Sequence, residues 1–114
     1  MIFDLRDVGM SRVITFYSWF SHDIRAGLKT ITIRDKSESD YYSRERLKAY
    51  TNPENEFIAE LDVIAVTPVQ LSDLSEIHGK QENMSLSELR QVIRDIYPDE
   101  SEFYIIEFCV ADKN

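Results

Sequence analysis

Residues 57–71, FIAELDVIAVTPVQL, form an unbroken run dominated by β-branched and other apolar side chains. Such a run favours extended, pleated backbone, and its length suits one long strand or two short ones. Pro68 is expected to stop it, because proline brings no N–H to a ladder. The chain is thereby committed to a sheet, and two other segments can join it. In TITIR (30–34), Ile31 and Ile33 alternate with Thr30, Thr32 and Arg34. That period of two predicts a strand with one apolar face, Thr30, Thr32 and Arg34 projecting together from the other. FYIIEFCVA (103–111) reads as the last strand, with Cys109 as a small buried hydrophobe.

Helical patterns lie between the strands. Phe16, Phe20 and Ile24 recur every four residues beside Tyr17 and Trp19. This predicts a helix laying an apolar stripe on the core, ended by Gly27 as a left-handed cap. Ser85 and Glu88 make a capping box ahead of Leu86, Leu89, Val92, Ile93 and Ile96, a helix closed by Pro98. A shorter helix is expected from a Ser72 cap through Leu74 and Ile77 to about Gly79. Residues 36–56 read as loop, with one short strand near 47–50 and a turn at Asn52 and Pro53. No repeat, low-complexity tract or linker interrupts the 114 residues. They are expected to form one α+β domain whose sheet curls around its core.

Composition narrows the class. With 43% hydrophobic and 30% charged residues the chain reads as a soluble globular protein. No run approaches the ~18 apolar residues of a membrane helix, and MIFDLRDVGM lacks the basic-then-apolar order of a secretory leader. A lone cysteine gives no disulfide framework or thiolate metal cluster, so a reducing cytoplasm is the expected compartment. The net charge of −8 disfavours tight binding to nucleic-acid backbones. Residues 23–50 nevertheless hold seven Lys/Arg against five Asp/Glu, whereas 51–114 hold four against fourteen. Any anion-tolerant surface is expected around 23–50.

That region also holds the candidate chemistry. Lys29 leaves the glycine turn, Thr32 follows three residues later, and Arg34 shares the threonine's face. A threonine hydroxyl becomes a nucleophile when a base takes its proton, and a desolvated lysine can be that base. Arg34 could both depress the lysine pKa and stabilise an oxyanion. The same spacing also suits an ordinary strand after a solvated turn lysine. Glu82, in Gln81-Glu82-Asn83-Met84, could reach over the sheet as a general acid with a raised pKa, or be a plain loop carboxylate. Glu60, inside the long apolar run, could face solvent or pair inward with Arg34 or Lys29. Tyr17, Trp19, Phe20, Tyr41 and Tyr42 could stack on a base, or be core. His22 and His78 stand in no metal-ligand spacing, and no H-x-E with C-x-x-C is present, which excludes the zinc deaminase route. There is no phosphate loop, G-x-G-x-x-G or G-x-S-x-G. No metal and no cofactor is expected.

AGLKTITIRD with SES, QENMSLSEL, IRDIYP and FYIIEF together resemble the small bacterial N(4)-acetylcytidine amidohydrolases. These are single-domain members of the ASCH group in the PUA-like superfamily. The likeness runs from about Ile14 to Phe108, leaving residues 1–11 as an N-terminal extension. The ASCH group carries G-x-K-x-x-E-x-R; here the string is Gly27-Leu28-Lys29-Thr30-Ile31-Thr32-Ile33-Arg34, with threonine in the glutamate's place as in the amidohydrolase branch. The resemblance implies a small β-barrel with packed helices, and deacetylation of a small nucleoside, N(4)-acetylcytidine, to cytidine and acetate. It implies Lys29 as proton acceptor, Thr32 as nucleophile and Glu82 as proton donor. Arg34 and Glu60, from the reading of the residues themselves, are the expected substrate or oxyanion contacts. The alternative is a non-catalytic PUA-like module that binds RNA or modified nucleosides; a purely structural adaptor is a third reading.

Overall fold

The computed structural model describes residues 12–111; the expected extension at 1–11 lies outside the described residues. Five strands form one sheet in the order β1-β3-β4-β5-β2. They are β1 (Arg12–Phe16), β2 (Ile31–Arg34), β3 (Arg46–Thr51), β4 (Phe57–Gln70) and β5 (Glu102–Val110). β1 runs parallel to β3, and the other pairs are antiparallel. Three helices, α1 (Ser21–Arg25), α2 (Glu76–Gln81) and α3 (Leu86–Ile96), join short 3₁₀ turns at Ser18–Phe20, Lys36–Glu38 and Leu71–Asp73.

The apolar side chains gather in two clusters. One holds Ile14, Phe16, Phe20, Ile24, Leu61 and Phe108, among others. The second, beneath α3, holds Ile31, Ile33, Leu74, Leu89, Ile93 and Phe103. Met84 packs against both. β4 is the spine: its first half pairs with β3 and its length with β5, and a register shift between Val63 and Ala65 marks a bulge where the strand can bend. β1 and β2 are left as the two sheet edges. The guanidinium of Arg34 on β2 reaches β1, Nη2 donating to Thr15 O at 2.7 Å. A side chain, rather than a backbone ladder, spans the seam.

Several expectations are corrected. Phe16 ends β1 and does not start a helix; the helix proper is only Ser21–Arg25 after a 3₁₀ turn. Phe16, Phe20 and Ile24 still bury into one cluster, so their spacing reported burial and misreported backbone. β4 runs through Pro68, which sits opposite Tyr104. Leu71 N–H donates to Ser101 O at 2.8 Å, so the amides at 71 and 69 face β5 and position 68 faces away. On that side residues 65–70 have no strand partner among the described residues, so the missing N–H breaks no ladder. Ser75, not Ser72, caps α2, its N–H donating to His78 Nδ1 at 3.0 Å. Gly79 lies within α2. Cys109 is exposed, because Ile106 and Phe108 take the inward positions of β5 and leave it outward, opposite Asp62.

Candidate active site

Two helix ends deliver the buried ionisable side chains Lys29 and Glu82. α1 closes on Gly27, whose φ of +75° suits a residue without Cβ. Gly27 N–H donates to Ile24 O and Leu28 N–H to Asp23 O, the paired bonds of a Schellman cap. The chain turned in this way sends Lys29 inward, where it is 2% exposed. α2 ends in the same motif. Asn83 takes φ 58°, with Asn83 N–H on Lys80 O and Met84 N–H on Gly79 O. Glu82 is the C-cap of that motif and is 4% exposed. A Cβ on Gly79 would stand 2.8 Å from Met84 O, so the tight return of the chain requires glycine there. Thr30 N–H donates to Gln81 O at 2.7 Å and stitches the second cap to the strand that follows the first.

Lys29 Nζ therefore meets Glu82 Oε1, and also donates to Ile31 O at 2.8 Å. It sits 4.5 Å from the Phe20 ring centroid, a favourable place for a cation. Thr32 and Arg34 share one face of β2, as the alternation predicts. Arg34 Nε donates to Thr32 Oγ1 at 3.0 Å. Since Nε–H can only donate, the hydroxyl oxygen accepts there and its own proton points elsewhere. Arg34 also lies over the Phe16 ring, 5.1 Å from its centroid.

Burial lowers the Lys29 pKa from the usual lysine value; Glu82 opposes that shift and Arg34 adds to it. Burial raises the Glu82 carboxyl, against the pull of Lys29 and Arg34. Each partner is thus displaced toward its uncharged form.

All four side chains line a cavity of about 130 Å³, close to the ~150 Å³ voids that admit a benzene ring. Phe16, Phe20 and Met84 give it apolar walls on one side, and Leu89, Ile93 and Ile96 on the other. Its remaining polar lining includes Glu38, Asn52, Tyr17 and Tyr97. Tyr17 is backed by Trp19, stacked 4.5 Å away at 9°. Glu38, Asn52 and Tyr97 were not singled out in the sequence. Glu38 lies in the SES string and Tyr97 in IRDIYP, which carry the resemblance without marking either residue for chemistry; Asn52 reads only as a turn residue.

Other candidates fall elsewhere. Glu60 projects from β4 near Arg46, 3.8 Å from its Nη1, and is half-exposed. It pairs with neither Lys29 nor Arg34 and does not line the cavity, because Ala59 and Leu61 take the inward positions of this stretch. Tyr41 and Tyr42 flank the Arg12 guanidinium at 5.0 and 5.2 Å and do not line the cavity. His78 is the capping partner of Ser75. Among the described residues no group of three or more His, Cys, Asp or Glu could hold a metal.

A hydroxyl held by a guanidinium, beside an amine and a carboxyl that are both buried, can transfer an acyl group and move the protons that this requires. No model of a known protein family matches the chain. It is 52% identical over 102 residues to the N(4)-acetylcytidine amidohydrolase of Pasteurella multocida, which covers 90% of this chain and 98% of that protein. Against the N(4)-acetylcytidine amidohydrolase of Serratia proteamaculans it is 54% identical over 100 residues, 88% of this chain and 98% of the other. The crystal structure of an ASCH domain from Lactobacillus crispatus superimposes with a TM-score of 0.73 at 13% identity, over 96% of this chain and 86% of that one. The fold is accordingly the α+β ASCH fold. By its identity to full-length relatives, the chain belongs to the N(4)-acetylcytidine amidohydrolase family.

Proposed function

We propose that this protein hydrolyses N(4)-acetylcytidine to cytidine and acetate, with Thr32 as nucleophile, Lys29 as base and Glu82 as acid. The observation that carries this reading is the buried contact of Lys29 with Glu82 in the cavity that also holds Thr32 and Arg34. Residues more than fifty positions apart meet there, at the expense of desolvating two ionisable groups.

Each member of the pair exchanges one proton with the reacting groups, in opposite directions, so the pair keeps its total. The reactive form is amine and carboxylic acid, toward which burial displaces both groups. Lys29 takes the proton of Thr32, whose oxygen bonds to the acetyl carbon. Arg34 faces the oxygen that gains charge. The carbon–nitrogen bond breaks as Glu82 gives its proton to the leaving amine, and cytidine departs. The pair is now ammonium and carboxylate. Water then attacks the acetyl-threonine and yields a proton to Glu82, while Lys29 returns one to the departing threonine oxygen. Acetic acid leaves and ionises in solution, and both groups are restored. Neither half requires a metal.

Purified protein incubated with N(4)-acetylcytidine should release cytidine at the same rate with and without a chelator. Thr32→Ala should lose about 10³-fold or more in kcat, the scale of deleting a nucleophile. An acetylated Thr32 peptide trapped by acid quench would identify the bond formed. Full activity in Thr32→Ala would remove the threonine from the chemistry. No turnover by folded protein, with N(4)-acetylcytidine still bound, would favour a binding module.

A further inference from the structure

We propose that Glu38 and Tyr97 are positioning residues of this site, which together lock the Arg34 guanidinium so that its Nε stays on the Thr32 hydroxyl. The inference rests on the reading of Thr32 as nucleophile and Arg34 as its support.

A guanidinium is a planar fork, so fixing its two outer nitrogens fixes where the third points. Nη2 is held by Thr15 O at 2.7 Å, a main-chain anchor on β1. Nη1 faces Glu38 Oε2 at 3.8 Å. The Glu38 backbone is set by the Asp35 carboxylate, which caps the 3₁₀ turn by accepting the Glu38 N–H at 3.2 Å. Its side chain, half-exposed, has no such constraint of its own, and an exposed ion pair at this separation would fix little.

Tyr97 supplies the missing constraint. Its hydroxyl donates to the other carboxylate oxygen, Oε1, at 2.6 Å. Tyr97 is anchored in turn: its ring meets Phe103 edge-on at 5.5 Å, and its backbone N–H closes α3 on Ile93 O at 2.8 Å. Burial, then the bond to Glu38, raises the Tyr97 pKa, so the hydroxyl keeps the proton it donates. A continuous line thus runs from the rigid end of α3 through Tyr97, Glu38 and Arg34 to the Thr32 oxygen. Every member lines the cavity. Glu38 and Tyr97 act on the Thr32 hydroxyl through Arg34.

The test uses two variants that preserve shape. Tyr97→Phe keeps the ring packing and removes one oxygen. Glu38→Gln keeps the size and weakens the hold on both neighbours. Each should lower kcat about tenfold, since small misplacement of a supporting group is costly, while KM stays within about twofold and Tm is nearly unchanged. The double variant should be no slower than the slower single one, because Tyr97 acts through Glu38. Wild-type kcat in both singles, a change confined to KM, or multiplying losses in the double would each overturn the proposal. Thr32→Ala run alongside separates the two readings. If it is inactive while Tyr97→Phe and Glu38→Gln turn over normally, only the positioning role falls; if it is active, both fall.

Discussion

Lys29 and Glu82 make the protein less stable than it could be, and that cost has a defined pH dependence. In the unfolded chain both groups are solvated and charged at neutral pH, whereas burial displaces both toward neutrality in the fold. Glu82, with a raised folded pKa, contributes fully below the ordinary value of 4.5, and that contribution is lost as pH rises through the folded value. Lys29 has the opposite sign: its contribution is complete above 10.5 and lost as pH falls through its lowered folded value. Around neutrality both therefore oppose folding. Lys29→Met should abolish turnover and leave Glu82 without its nearest cation. Its carboxyl then rises further, and thermal melts should show a deficit larger at pH 8 than at pH 5, by about 1.4 kcal/mol per unit of added shift. Equal deficits at the two pH values would contradict the assignment. Lys29→Met combined with Glu82→Leu removes both burdens and should match or exceed the parent in stability, by up to ~4 kcal/mol, with no activity.

Among the elements, the caps of α1 and α2 set the geometry of the site more than any strand does. Gly79→Ala would normally favour a helix interior. Here the added Cβ meets Met84 O at 2.8 Å and Leu86 N at 3.1 Å, both backbone. The variant should melt several degrees lower and lose about tenfold or more in kcat, because the displaced loop carries Glu82. Asn83→Gly, at φ 58°, should be neutral within roughly 0.5 kcal/mol. Thermal melts and steady-state kinetics on both variants check the pair of expectations.

The same elements show how far the sequence could be read. The alternation of TITIR placed Thr32 and Arg34 on one face, Gly27 announced the first cap, and Ser85 with Glu88 announced α3; in each the local signal and the tertiary outcome agree. β1 was hidden because a short strand runs directly into a turn and helix whose buried residues continue its spacing. The α2 boundary was missed because Ser72 and Ser75 offer the same chemistry, and only packing selects the second. The approach of Lys29 to Glu82 is a long-range contact that periodicity does not encode; resemblance to a family implied a role for each residue and left their contact unread. Glu60 and Cys109 turned outward because their neighbours in sequence took the inward places.

On the scale of the whole molecule, the sheet bends along β4 until its edges, β1 and β2, face each other across the seam that Arg34 spans. The cavity opens beside that seam, between the two apolar clusters, with Met84 touching both. The cavity therefore lies where side chains, not strands, close the fold. The far half of β4 offers a second kind of opening: a strand edge over residues 65–70 that is unpaired among the described residues. Exposed edges recruit other chains, and crowded solutions of sheet proteins aggregate through them. Pro68 turns its donor-less nitrogen toward that side and denies a neighbouring molecule one of the hydrogen bonds it would need. Pro68→Val should leave turnover intact and increase self-association in sedimentation at equal concentration; unchanged sedimentation would show that this edge is not where copies meet.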